Sequence, residues 1–254
     1  MERSPAPSVQ VARAAYQASV ERLRTQYQAL PVEAPVRLAK RTSNLFRMRD
    51  PNSTAGLDVS AFSGVLEVDP VARTADVLGM TTYENLVDAT LRFGLMPMVV
   101  PELKTITLGG AVTGLGIEST SFRNGCPHES VLDFDVLTGD GRVITVTRDG
   151  PHADLFTGFP NSYGTLGYAL RLRIELEPVK PFVALEHYPH HTNVDAAATI
   201  EDIARTGEHR GRRVDFLDGV VFSRDRVIVT VGRFVDEAPY LSDYTRSKVY
   251  YRSL

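Results

Sequence analysis

The densest ligand-binding chemistry in the sequence lies in Thr107-Leu108-Gly109-Gly110-Ala-Val-Thr113-Gly114-Leu-Gly116-Ile117-Glu118-Ser119-Thr-Ser121. Four glycines fall within eight residues there, among Thr, Ser and small aliphatic side chains. Glycine lets a backbone approach a ligand closely, and amides with hydroxyls satisfy anionic oxygens without a cationic side chain. A phosphate-bearing ligand is the occupant this chemistry expects. The same composition also suits a turn packed tightly on a neighbouring element, and composition alone leaves the two open.

Two phosphate motifs can be checked, one by its spacing and one by its context. Gly, four residues, then Gly-Lys-Ser/Thr does not occur, which argues against an NTPase. The string from Gly114 to Ser119 has Gly-x-Gly but lacks the third glycine of a dinucleotide fingerprint, although Asp133 follows at a suitable distance. Ser119 to Ser130 has no apolar helical period, so no helix is expected there to receive a pyrophosphate. A plain NAD-binding Rossmann enzyme is the weaker reading, and it predicts NAD binding and no yellow colour.

Other reactive side chains read as structural. Cys126, the only cysteine, has no activating motif around it and reads as an inert thiol. His187-Tyr-Pro-His190-His191 is interrupted by proline and lacks partner cysteines, so no metal site is assigned. Arg210-Gly-Arg-Arg213 reads as a solvated turn balanced by nearby acids. No catalytic residue is assigned.

The elements that must position the glycine-rich stretch follow from periodicity. Tyr16, Val20, Leu23, Tyr27 and Leu30 form one stripe of an N-terminal helix that ends at Pro31 and is expected to pack on its own domain. Short strands are expected at 36–39, 64–69, 74–78 and 96–100. Between the last two, Thr81 and Glu84 have capping-box spacing before a helix that stops at Gly94. Strands 133–137 and 142–147 flank Gly139-Asp140-Gly141, a hairpin turn. Leu170, Leu172, Ile174 and Leu176 alternate with charged residues in a strand that ends at Pro178. Beyond Pro181, a helix over 194–206 capped by Asn193 precedes a hairpin of 215–222 and 226–234. These elements make a thin core for about 75 residues. The ending lacks a polar tail, and the natural chain is expected to continue past Leu254.

The 28 Lys+Arg against 31 Asp+Glu give a net charge of −3, so no basic excess favours nucleic acid or an anionic membrane. No apolar run approaches the roughly 20 residues of a membrane span. With one cysteine and no signal-peptide pattern, a cytoplasmic location is expected.

In this order the motifs resemble the PCMH-type FAD-binding domain of the vanillyl-alcohol oxidase / p-cresol methylhydroxylase superfamily, nearest to diminuto-like delta-24-sterol reductases. The resemblance is carried by Pro101-Glu-Leu103, Thr107-Leu-Gly-Gly110, Gly114-Leu-Gly-Ile-Glu-Ser119, Asn124-Gly125, the hairpin from Leu137 to Val143, Asp154-Leu-Phe156 and Gly164-Thr165-Leu-Gly167. It implies an α+β fold: an N-terminal helical segment over 1–35, an FAD-binding domain of two α/β subdomains over 36–180, and the start of an α+β cap domain over 181–254.

The resemblance also implies a site. Thr107 to Ser119, with Ser121 just beyond, match the family's main FAD segment, and Gly164, Thr165 and Gly167 match a second contact region. Lys40-Arg41-Thr42-Ser43-Asn44 stand where the superfamily places its pyrophosphate loop. That loop lacks the histidine that tethers flavin in many members, so noncovalent FAD is expected. The implied function is an FAD-dependent oxidoreductase that reduces an alkene, sterol-like or otherwise lipid-like, with NADPH as donor. The alternatives are an FAD-linked oxidase of an alcohol or sugar acid, and a flavin-binding fragment without turnover of its own.

Overall fold

The computed structural model describes residues 7–31, 33–40 and 56–242. In chain order the elements begin with α1 (Pro7–Gln28), β1 (Val65–Asp69), β2 (Thr74–Leu78), α2 (Tyr83–Leu91), β3 (Leu95–Pro97), α3 (Leu108–Gly114) and α4 (Ser121–Asn124). A 3-10 turn at Pro127–Ser130 leads into β4 (Val131–Leu137), β5 (Val143–Thr147), α5 (Ala153–Gly158) and β6 (Tyr168–Pro178). The remainder is β7 (Phe182–His190), α6 (Asn193–Thr206), β8 (Glu208–His209), β9 (Arg212–Arg213), β10 (Phe216–Ser223) and β11 (Arg226–Val235). Helix and sheet are mixed throughout, as in an α+β fold.

The chain divides into two units. One comprises the described parts of 1–116 together with 126–177; the other comprises 117–125 and the described parts of 178–254.

The first unit is built on a sheet of order β1-β2-β6-β4-β5, with β3 paired to β6. Alternation along β6 decides its two faces. Leu172 and Ile174 join Val77, Phe134, Val136 and Val146 in a core closed by Tyr83 and Leu86 of α2 and by Leu108 and Val112 of α3. Arg171 looks the other way, toward α1. Its guanidinium reaches Asp76 at 2.5 Å, Asp133 at 2.7 Å and Asp135 at 2.8 Å. From α1, Arg13 pairs with Asp76 and Glu67 at 2.9 Å, and the Tyr16 hydroxyl donates to Asp135 at 2.7 Å. Tyr16, Val20 and Leu23 then pack with Leu78, Leu137 and Leu170. The apolar stripe of α1 is therefore spent on the first unit's own sheet.

The second unit has a three-stranded antiparallel sheet of order β10-β11-β7. Ala196 and Ile203 of α6 pack on Val227, Val229 and Val231, with Phe122 of α4 against the same cluster.

Several expected elements shift. The strand at 36–39 reduces to one parallel bridge, Leu38 to Leu57. The strand at 96–100 is the three-residue β3. Thr82, not Thr81, caps α2: its backbone is extended, and its hydroxyl oxygen accepts from the Asn85 N–H, whereas the Thr81 hydroxyl is committed to Leu78 and Gly64. Thr192, not Asn193, caps α6 for the same reason. Ser119–Ser130, expected without helix, contains the single turn α4. β7 was not expected, because Pro189 and the histidines obscure its alternation. It lies at the sheet's edge, where a residue without an N–H is tolerated.

Candidate functional site

The first half of the glycine-rich stretch folds as α3. Thr107, in extended conformation, caps it and accepts from the Gly110 N–H at 3.3 Å. The Leu108 N–H donates to Thr81 O and the Gly109 N–H to Gly79 O, both at 2.9 Å. This corrects the expectation that these amides face anionic oxygens: the protein itself takes up the first three N–H groups of α3. Leu108 is a core residue at 1% exposure.

The reason for glycine also differs along the stretch. A Cβ on Gly109 would come within 2.8 Å of Gly79 O, and one on Gly79 within 2.0 Å of Ala169 O. These two glycines exist so that α3 can lie directly on β2 and β6. Gly167 likewise packs on β4, where a Cβ would sit 2.4 Å from Leu137 O, at a φ of +135°. At Gly114, by contrast, a Cβ would meet nothing within 4 Å, so this glycine leaves open space. The tight-turn reading therefore holds for Gly109 and Gly167, and the ligand-approach reading survives at Gly114.

Within the first unit the fold brings predicted segments from two other parts of the chain to α3. Lys40 Nζ lies 3.3 Å from Thr107 Oγ1 at the helix start. At the other end the Tyr163 N–H donates to Thr113 O at 2.9 Å, which docks the 162–167 turn. Gly164 has φ +84°, which lets that turn close, and the Thr165 hydroxyl donates to Ser162 O at 2.7 Å. The Thr113 hydroxyl bonds Gly109 O at 2.8 Å within α3.

Ser162 was missed by sequence reasoning. Its Oγ is buried with no hydrogen-bond partner among the described residues, in the turn that Tyr163 docks on Thr113. An unmet buried hydroxyl is costly, and an external acceptor or donor would satisfy it. Its one signal is its position just ahead of the Gly164-Thr-Leu-Gly167 motif. Leu115, Tyr163 and Leu166 nearby in sequence are 42%, 58% and 43% exposed. A cation at one end, an unmet hydroxyl and open glycine at the other, and exposed apolar groups fit a ligand that carries both anionic oxygens and a flat apolar ring.

The remaining predicted residues fall elsewhere. Ile117, Glu118, Ser119 and Ser121 belong to the second unit. There the Ser119 carbonyl accepts from Leu217 N–H at 2.8 Å, and the Ser121 hydroxyl accepts from Glu118 N–H at 2.9 Å. Gly116 ends the portion that stays with α3. Arg41, Thr42, Ser43 and Asn44 lie outside the described residues.

Cys126 is half-buried, and its N–H donates to the Glu129 carboxylate at 2.6 Å. Burial and Glu129 push its thiol upward, away from the reactive thiolate. His187 and His190 sit three apart on β7 and so on opposite faces; His187 Nδ1 lies 2.9 Å from Thr230 Oγ1. Among the described residues no cluster of three metal-ligating side chains occurs, and no helix is long and apolar enough to cross a membrane.

Comparison with known proteins adds what the geometry alone does not name. A family model described as an FAD binding domain matches residues 16–147. The chain is 29% identical over 186 residues to a Delta(24)-sterol reductase of Pisum sativum, covering 71% of this chain and 33% of that protein. It is 29% identical over 176 residues to a Delta(24)-sterol reductase of Homo sapiens, covering 68% and 33%. It is 30% identical over 154 residues to cytokinin dehydrogenase 5 of Oryza sativa, covering 60% and 28%. The chain thus spans about a third of the length of the curated relatives it matches.

Proposed function

The chain belongs to the PCMH-type FAD-binding domain family, and from that premise we propose that it holds FAD noncovalently along α3 as the flavin portion of an oxidoreductase. The observation that carries the site is the convergence of Lys40, Thr107, Thr113 and the Ser162–Thr165 turn on one short helix. Bound FAD supplies hydride transfer to or from an organic substrate.

The chain's own residues supply binding and position. Lys40 offsets phosphate charge, with Thr42 and Ser43, next in the sequence, offering hydroxyl donors. Gly114 leaves room for the ligand to approach, and Ser162 Oγ gains the partner it lacks. The raised thiol of Cys126 speaks against a cysteinyl tether.

The sterol reductase matches favour reduction of an isolated alkene in a sterol-like or other lipid-like substrate, with NADPH as donor. The cytokinin dehydrogenase match favours a second reading, in which the same flavin site takes hydride from its substrate, as in an oxidase acting on an alcohol or sugar acid.

The deciding measurement is the visible spectrum of the purified chain before and after acid precipitation. A flavin spectrum that moves to the supernatant is expected. Colour retained in the pellet would overturn noncovalent binding, and a colourless chain that FAD cannot reconstitute would overturn the flavin site. Anaerobic bleaching by NADPH, but not by alcohols or sugar acids, distinguishes the reductase from the oxidase.

A further inference from the structure

Two segments that sequence reading set aside, His187–His191 through its Tyr188 and Arg210-Gly-Arg-Arg213, meet in the second unit. Tyr188 of β7 packs edge-on to His209 of β8 with ring centroids 4.5 Å apart, and the Arg210 guanidinium lies 4.6 Å from the centre of the Tyr188 ring. Beside them is a shallow, solvent-open recess, floored by β7 and β11 and walled by the β8–β9 hairpin.

Three guanidinium groups line this recess against one carboxylate, Glu186. Arg212 is satisfied by Glu186 at 2.8 Å, and Arg213 by the buried Asp215 at 2.9 Å. Arg233 stands 3.9 Å from Glu186, too far for a hydrogen bond. Its Nε is buried without a hydrogen-bond partner among the described residues, and so is His209 Nε2. Two unmet nitrogens thus belong to side chains that line one recess, which also carries surplus positive charge.

We infer that this recess binds a phosphate group, with Arg233 and His209 as its principal donors. A tetrahedral oxyanion offers several acceptors to differently oriented N–H groups, which matches guanidinium forks converging from a strand and a hairpin. Arg212 and Arg213, with side chains 49% and 75% exposed, form the outer walls of the recess. The inference does not rest on the flavin reading.

The test titrates the full chain with inorganic phosphate at constant ionic strength, with saturating FAD present so that a flavin site does not compete. Saturable binding is expected, and Arg233→Gln should weaken it roughly tenfold or more, while Arg224→Gln in the β10–β11 turn leaves it unchanged. A second readout needs no variant. His209 has its protonation depressed by burial and by Arg210, while Glu186 and Asp202 act the other way and His190 adds to the depression. A bound anion favours the protonated ring, so its NMR titration should move to higher pH in phosphate than in chloride. Phosphate acting no differently from chloride, an unmoved His209 titration, or full affinity in a folded Arg233→Gln chain would each overturn the inference. Tighter binding of glycerol 2-phosphate assigns the site to a phosphorylated small molecule; parity assigns it to free phosphate.

Discussion

The amide N–H of Tyr163 donates to the carbonyl of Thr113 across 2.9 Å, joining two segments that lie fifty positions apart. That bond makes a single site of α3 and the 162–167 turn. It also brings the turn that carries the unmet Ser162 hydroxyl to the end of α3 that holds Gly114.

Ser162→Ala separates binding from folding. In the chain without flavin the substitution removes an unsatisfied buried oxygen, so thermal stability should hold or rise slightly. FAD affinity should fall about tenfold, the loss of one hydrogen bond of roughly 1.4 kcal/mol. Flavin fluorescence titration and thermal unfolding of the same variant check both. Unchanged affinity would remove Ser162 from the site.

Lys40→Gln addresses the cationic end of α3. If Lys40 faces phosphate charge, the variant should bind FAD about three- to tenfold more weakly, and its affinity should depend less on salt than that of the parent chain. An equal salt dependence in the two proteins would limit Lys40 to its contact with Thr107. Replacing Thr42 and Ser43 together by alanine should weaken flavin binding further, and full retention would remove the loop from the site.

Gly79→Ala tests the packing explanation for the glycines. Its Cβ would come within 2.0 Å of Ala169 O, a backbone atom that cannot turn aside. A loss of about 3 kcal/mol is expected from urea unfolding. Gly114→Ala, with open space at its Cβ, should cost less than about 1 kcal/mol while still obstructing flavin.

The acid face of the first unit has a definite sign. Burial alone would raise the Asp135 carboxyl, but hydrogen bonds and charge from Arg171, with bonds from Tyr16 and Thr145, hold it below the usual carboxylate range. A carboxyl lowered by folding contributes stability above its unfolded value of about 3.9, and this contribution is lost as pH falls through the lower folded value. Asp135→Asn should therefore destabilise the chain by about 3 kcal/mol at neutral pH and flatten the acid dependence below roughly pH 4. Urea unfolding at several pH values reads both. A variant as acid-sensitive as the parent would place the dependence elsewhere.

The amino-acid sequence determined the local elements wherever a short-range rule suffices. The alternation from Leu172 to Leu176, the hairpin at Gly139–Gly141 and the stripe Tyr16–Leu23 each depend on a period or turn read within a few residues, and each forms, whereas Leu170, expected on the face of Leu172, packs with α1 beyond a register shift between β4 and β6. It also carried the motifs of the FAD-binding family, because glycine and hydroxyl spacing is written along the chain. Tertiary structure alone decided what each glycine does. Gly109 and Gly114 look alike in the sequence, yet one is pressed against Gly79 and the other opens to space. It alone gave α3's first amides to Thr81 and Gly79, sent Ile117–Ser121 to the second unit, and brought Ser162 to the site. These outcomes depend on contacts between residues far apart in the chain, which no local pattern encodes.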